Sequence, residues 1–288
     1  MQRQNACEYA LGQAHLIHLT EPEPRRGEAA EIQPGIRRIV AKNPGPMTYH
    51  GTNTYLVDSD EGVIVIDPGP ADEAHLGHVL AATAGRVAHI LLTHAHSDHV
   101  GNVAALRAAT GAPVGALAAK GAPAFVPDHA LRDGAATGGL TVIHTPGHAP
   151  DHLCFARADG VLFSGDHVMG WSSTMVSPPP SGDMTAYLAS LALLLARADR
   201  RYLPGHGPPI DDPHPRVDAL LRHRLARERD IETVLRDRPS SAPEIVGLVY
   251  ALRDPGLRRA AERSVLAHLA KLEAEGRAVG DGGIWRLA

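Results

Sequence analysis

Cysteine is almost absent: Cys7 and Cys154 are the only two in 288 residues. Two thiols cannot build a disulfide framework, and their scarcity favours a reducing compartment. Long apolar runs are missing too. The longest uncharged one, residues 188–196, falls far short of the roughly 20 residues that span a bilayer. Residues 10–19 are apolar but interrupted by Gln13, His15 and His18, unlike the continuous run of about 7–15 residues in a secretory signal. A cytoplasmic protein without a membrane segment is expected. Neither sign of charge dominates. With 28 Lys+Arg against 32 Asp+Glu, a net charge of −4 and a pI near 6.5, nothing drives the whole chain toward nucleic acid or membrane. The rest of the composition, 44% hydrophobic and 21% charged, excludes disordered and collagenous chains. It suffices for one large core, or for a core plus a small module.

What is plentiful is histidine. The chain has 18, where about 2% usage gives roughly six, and metal sites commonly explain such an excess. Residues 1–35, with Pro22, Pro24 and Pro34, read as an irregular N-terminal arm or edge strand. From Ile36 onward, short apolar runs punctuated by turns predict strands at 36–41, 53–57, 62–66, 87–93, 140–144, 152–156, 161–164 and 201–203. Helical spacing predicts helices at 71–84, at 100–110 with Gly111 as its stop, and at 184–198. Strands mixed with helices in this order imply an α/β layered domain over residues 36–213. After Pro215 come an Arg-rich helix at 216–238, a helix start at 240–244 with Pro243 in its first turn, a third helix at 263–275, and two short strands around a Gly-rich turn. Helices closed by a hairpin describe a small winged-helix module over residues 214–288.

The chemistry concentrates in Thr93-His94-Ala95-His96-Ser97-Asp98-His99, where an apolar strand gives way to a helix. On extended backbone, His94 and His96 point to the same side. Asp98 and His99 follow where the chain turns, so they address a neighbouring point. Four ligand-type groups in six residues can therefore serve two metal ions side by side. Three more sit at turns after predicted strands: His148 in TPGH, Asp166 in SGD and His206 in PGHG. Two metals about 3.5–4 Å apart hold a bridging hydroxide, available near neutral pH, that attacks carbonyl carbon or phosphorus. Asp98 suits proton transfer as well as ligation, which makes it the candidate catalytic residue. Asp67 closes a strand near the expected metal face and can orient a ligand imidazole, and His152 is a second candidate for support behind the ligands. His167 stands evenly between such support and exposure. His75, His78, His214, His223 and His268 read as solvated helix or loop residues, and Cys154 as a small core residue.

These motifs, with V-I-D-P-G at 65–69, resemble the metallo-β-lactamase superfamily over about residues 36–212. The resemblance implies an αββα sandwich. G-T-N-T-Y-L-V at 51–57 and the stretch around residues 261–279 resemble the lactamase-beta-2-type subgroup, which carries an appended winged helix. Residue by residue, the resemblance implies one zinc on His94, His96 and His148, a second on Asp98, His99 and His206, and Asp166 bridging both. That makes two Zn2+ per chain, with ligand types that also suit iron or manganese.

Two substrate readings follow. The favoured one is hydrolysis of a small carbonyl compound: a thioester, ester, lactone or lactam. The alternative, implied by the subgroup resemblance, is endonucleolytic cleavage of single-stranded RNA. Residues 1–213 carry 14 basic and 21 acidic groups, residues 214–288 carry 14 and 11. The basic clusters Arg222, Arg224, Arg227, Arg229 and Arg253, Arg258, Arg259, Arg263 offer themselves to phosphates. However, Asp218, Glu228, Asp230 and Glu232 interleave with the first cluster at intrahelical pairing distances. A salt-bridged solvated face or a dimer surface is the plainer reading, and a monomer or homodimer fits either. Residues 172–183, rich in Ser and Pro, form either a substrate wall with Trp171 and Met175 as apolar contacts or a rigid surface loop. A non-enzymatic winged-helix regulator is disfavoured by the complete ligand set.

Overall fold

The structure is a computed structural model that describes residues 17–117, 126–250 and 254–288. Cys7, His15 and Arg253 lie outside the described residues. The first sheet has seven strands in chain order: β1 (Ala30–Gln33), β2 (Ile36–Val40), β3 (Asn53–Ser59), β4 (Gly62–Ile66), β5 (Val87–Leu91), β6 (Val114–Leu117) and β7 (His129–Leu131). The second comprises β8 (Ala136–Thr137), β9 (Leu140–His144), β10 (Leu153–Arg157), β11 (Val161–Gly165), β12 (Arg201–Pro204) and β13 (Ile210–Asp211), again in neighbour order. The arm at 30–33 is thus an edge strand, antiparallel to β2.

These strands are apolar on both faces because each sheet is covered twice. Tyr55, Val57, Ile64 and Ile66 turn inward to meet Phe155, Phe163 and Leu203 of the second sheet. The alternate residues Leu56, Val63 and Val65 turn outward, to Val79 and Leu106. Those two belong to α1 (Glu73–Thr83) and α3 (Val103–Thr110). On the far side, Cys154, Ala156 and Leu162 pack against Tyr187, Leu191 and Leu194 of α4 (Met184–Leu195). The result is a helix–sheet–sheet–helix sandwich, and Cys154 is a buried core residue as expected. The helix expected at 100–110 is divided: a single turn, α2 (Ser97–Val100), precedes α3.

The C-terminal part contains α5 (His214–Asp237), α6 (Ala242–Val249) and α7 (Pro255–Ala274). A three-stranded sheet completes it: β14 (Ser240–Ser241), β15 (Ala278–Asp281) and β16 (Ile284–Leu287), with β16 in the middle. Gly282 and Gly283 both take positive φ, 54° and 83°, as a two-residue type I′ hairpin turn requires. Helix α7 starts at Pro255 rather than 263, because Asp254 caps it by accepting from Leu257 N–H at 2.9 Å. Helix α5 belongs to two cores. Val217 and Leu220 pack with Tyr187 and Leu194, while Ile231, Val234 and Leu235 pack with Ile245, Val265 and Leu269.

The histidines expected to be solvated divide. His78 is exposed, but His75 and His268 are fully buried, and His214 and His223 are half-buried. His75 Nε2 lies 2.8 Å from Thr54 Oγ1, and His268 Nδ1 lies 3.3 Å from Glu228 Oε2. Helical spacing identifies a helix but not which face meets a second layer, which is why these positions were misread.

Candidate active site

Strands β4 and β5 are parallel, and so are β11 and β12. Strand β9 shares the direction of β11, since both are antiparallel to β10. All five end at one edge of the sandwich, where loops following parallel strands gather ligands. Asp67 follows β4, residues 93–99 follow β5, and His148, Asp166 and His206 follow β9, β11 and β12. Hydrogen bonds stitch the two sheets together at this edge. Leu153 N–H donates to Thr93 O at 2.6 Å and Asn53 N–H to Gly205 O at 2.8 Å, and the Tyr55 hydroxyl donates to Pro204 O at 2.8 Å.

Seven side chains converge there. His94 Nε2 lies 2.9 Å from His96 Nδ1, and His148 Nε2 lies 3.0 Å from the same atom. Beside this trio, Asp98 Oδ2 is 3.3 Å from His206 Nε2 and 3.6 Å from His99 Nε2. Asp166 sits between the groups, with one oxygen 3.5 Å from His99 Nε2 and the other 3.4 Å from His206 Nε2 and 3.7 Å from His148 Nε2. His94, His99, His206, His148 and Asp166 are buried, His96 is exposed and Asp98 half-exposed, so solvent reaches the site from their side.

The outer hydrogen bonds dictate where the ring protons sit. Thr93 Oγ1 gives its only hydrogen to Asp67 Oδ2 at 2.7 Å, so at 2.9 Å from His94 Nδ1 it accepts. His148 Nδ1 faces Met175 O at 2.8 Å, His206 Nδ1 faces Gly51 O at 3.3 Å, and His99 Nδ1 faces Asp67 Oδ2 at 2.9 Å. Carbonyl and carboxylate oxygens only accept, so each of these nitrogens carries a hydrogen. On His94 and His148, which burial keeps neutral, an Nε2 lone pair then turns toward the centre. Lone pairs aimed at one another repel unless a cation occupies the shared point. His99 Nε2 and Asp166 Oδ1 are also buried without a hydrogen-bond partner, which costs about 1–3 kcal/mol each when left so. The residues therefore fit a metal.

The electrostatics agree. Burial, then the charge of His99, holds His94 well below its ordinary range, and burial brings His148 down to about 4. At His206 burial acts in the same sense, but Asp166 and Asp98 outweigh it and lift the imidazole to about 9. His99 is raised well above its usual value in the same way, by Asp166, Asp67 and Asp98 against burial. Burial pushes Asp98 up, yet His99 and His206 outweigh it and bring the carboxyl to about 2. The carboxylates stay charged and draw positive charge, proton or metal, to the inner nitrogens.

Asp67 accepts from Thr93 N–H at 2.8 Å as well as from Thr93 Oγ1 and His99. His152 is buried behind the cluster and touches no inner nitrogen. Its Nε2 accepts from Asp166 N–H at 3.2 Å, so its Nδ1–H donates to Thr145 Oγ1 at 2.8 Å. His167 is fully buried rather than exposed, its ring 4.6 Å from that of Tyr187. Met175 contributes its carbonyl to His148, and half-buried Trp171 leans on Tyr49 at 5.2 Å. Sequence reading missed Thr54 and His75: the Thr54 hydroxyl donates to Asp67 O at 2.7 Å and receives His75 Nε2–H. It also missed the inward turn of Arg216, Arg224 and Arg227, all buried.

Residues 47–206 match the family model of the metallo-β-lactamase superfamily. The "Beta-lactamase-like protein 2 homolog" of Drosophila melanogaster is 36% identical, over 83% of this chain and 88% of the relative. The chain belongs to the metallo-β-lactamase superfamily. It is a hydrolase of that superfamily, and its residues 241–285 match the β-lactamase associated winged helix domain. A protein named "Atrochrysone carboxyl ACP thioesterase" from Aspergillus chevalieri is 32% identical over 74% of this chain and 70% of its own length. Among solved structures, a β-lactamase domain protein from Burkholderia ambifaria superposes with a TM-score of 0.80, 26% identity, and coverage of 93% of this chain and 96% of that one. TTHA1623, solved in a di-iron-bound form, is 34% identical with a TM-score of 0.51, covering 62% of this chain and 95% of its own. Among the described residues, no helix is long and apolar enough to cross a membrane.

Proposed function

We propose that this superfamily member is a dinuclear zinc hydrolase of a small acyl substrate, with thioesters the first class to try. Residues 36–213 carry the chemistry and residues 214–288 form the appended module. The carrying observation is the pair of ligand groups sharing Asp166, with four imidazole protons pinned outward. His94, His96 and His148 would hold one ion, Asp98, His99 and His206 the other, and Asp166 would bridge. Zinc held there supplies Lewis acidity for a carbonyl oxygen and brings the ionisation of water toward neutral pH.

The protein's own groups do the rest. Asp67 and Met175 O keep the His99 and His148 rings turned inward. Asp98, half-exposed and charged, is placed to take a proton from the attacking water and return it to the leaving group. The thioester class is supported by the thioesterase-named relative. It is supported too by the inward use of the basic cluster: Arg224 and Arg227 are buried, and Arg222 pairs with Asp218, which leaves less charge for phosphates.

The test is zinc-loaded protein assayed in parallel on acyl thioesters, esters, lactones and lactams, and on a labelled single-stranded RNA. Thioester turnover is expected, with kcat lowered about 10²–10⁴-fold in Asp98→Ala. RNA cleavage abolished by the same substitution, with no turnover on the acyl panel, would overturn the substrate assignment.

A further inference from the structure

Two buried arginines of α5 and an exposed arginine of α7 end on the same loop. Arg216 of α5 donates through Nε to Met169 O at 2.9 Å and through Nη2 to Ser172 O at 2.7 Å. Arg224, about two turns further along α5 and 3% exposed, donates to Thr174 O and lies over the Tyr187 ring, 5.6 Å from its centroid. Arg263 of α7 reaches Ser177 Oγ at 2.9 Å. Among the described residues, no carboxylate lies within ion-pair distance of Arg216 or Arg224. Taking a guanidinium out of water without a counter-ion costs several kcal/mol even after relaxation. Arg216 spends its donors on main-chain carbonyls, while Arg224 donates to the Thr174 carbonyl and keeps its Nε buried without a hydrogen-bond partner.

The loop passes this hold directly to the site. Thr174, gripped by Arg224 at its carbonyl, donates its own hydroxyl to Asp166 O. The next residue offers Met175 O to His148 Nδ1, the bond that aims His148 Nε2 at His94 and His96. Two adjacent residues therefore connect one buried cation to Asp166 and to the three-histidine group.

We infer that Arg224 is a positioning residue. Through the Thr174–Met175 main chain it keeps His148 and Asp166 in place to bind metal, so the C-terminal helices are part of the support of the metal site. This rests on reading the cluster as a metal centre.

Arg227 provides the control. It lies on the same helix, is 7% exposed, and has partners confined to the C-terminal part: Asp230 at 3.1 Å, Val249 O at 3.3 Å and the Tyr250 ring at 4.7 Å. A merely structural buried arginine behaves like Arg227. The experiment measures zinc affinity of metal-free, reloaded protein by competition with a chromophoric chelator, beside the thermal midpoint of the metal-free chain. In Arg224→Met the affinity for at least one equivalent is expected to fall about tenfold or more, as when a group orienting a ligand is lost. Arg227→Met is expected to lower the thermal midpoint and leave zinc affinity unchanged. Arg224→Lys keeps the charge and the stem but not the reach, so an intermediate loss is expected. Should Arg224→Met fail to fold, Arg224→Lys compared with Arg227→Lys decides in the same way. Unchanged affinity in the folded Arg224 variants, or an equal loss in the Arg227 variant, overturns the inference. A wild-type chain that takes up no zinc instead sinks the metal reading itself.

Discussion

Asp67 faces no open part of the site, yet three donors converge on its two oxygens: Thr93 N–H, Thr93 Oγ1 and His99 Nδ1. Its φ of 52° lies in the left-handed region that Asn tolerates well. Asp67→Asn therefore preserves backbone and volume while replacing one acceptor oxygen with an NH2 donor. Whichever way the amide flips, a donor meets a donor. Zinc affinity at the Asp98, His99, His206 group is expected to drop about 10–100-fold with little change in thermal midpoint, and a zinc titration beside a melting curve checks both. An unchanged titration would remove Asp67 from the support of His99. At this scale the seven converging residues and Asp67 were legible because each stands in a short motif at a strand end. Thr54 and His75 were not, since a single polar residue within an apolar stretch or an amphipathic helix carries no sign of what it faces.

The turns that deliver the candidate ligands matter as much as the side chains themselves. Gly205 precedes His206 in the turn after β12, and a Cβ there would fall 2.4 Å from Asp166 Oδ1 and 2.8 Å from His99 Cε1. Gly205→Ala thus forces the Asp166 carboxylate aside without touching either hydrophobic core. The expected result is fewer than two zinc ions per chain after dialysis against a mild chelator, from a protein that still melts cooperatively. Two ions retained would mean that Asp166 can shift and still serve both groups. Most elements were readable: the strands as short apolar runs, because both sheet faces are buried, and the helices from their spacing, with side-chain caps at the starts of α1, α4, α6 and α7. The strands missed were β6, β7, β8, β13 and β14, of two to four residues. Runs that short show no alternation and exist through the ladder of a neighbouring strand. The division of the helix after β5 was equally hidden, since His96 to Asn102 bend to serve the site rather than a core.

Across the whole molecule, composition suggested a clean division, acidic toward the start and basic toward the end. The basic excess is partly internal: Arg216, Arg224 and Arg227 are buried, and charge counts cannot tell an inward guanidinium from an outward one. With α5 contributing to the core under the second sheet and to that of the winged helix, the two parts are expected to unfold together. The chain's two tryptophans make this measurable, since Trp171 lies in the loop beside the site and Trp285 in the C-terminal hairpin. Denaturant curves of Trp171→Phe and Trp285→Phe, each followed by the remaining fluorophore, should coincide within their own stability shifts. Two well-separated midpoints would contradict it. The shared helix also bears on exchange between chains. The joint lies within α5 rather than in a linker, so a recombination point near residue 213 would strip Tyr187, Leu191 and Leu194 of the cover they get from Val217 and Leu220. A graft of this winged helix onto another sandwich is expected to succeed only if it carries the whole of α5 and that sandwich offers the same apolar seat.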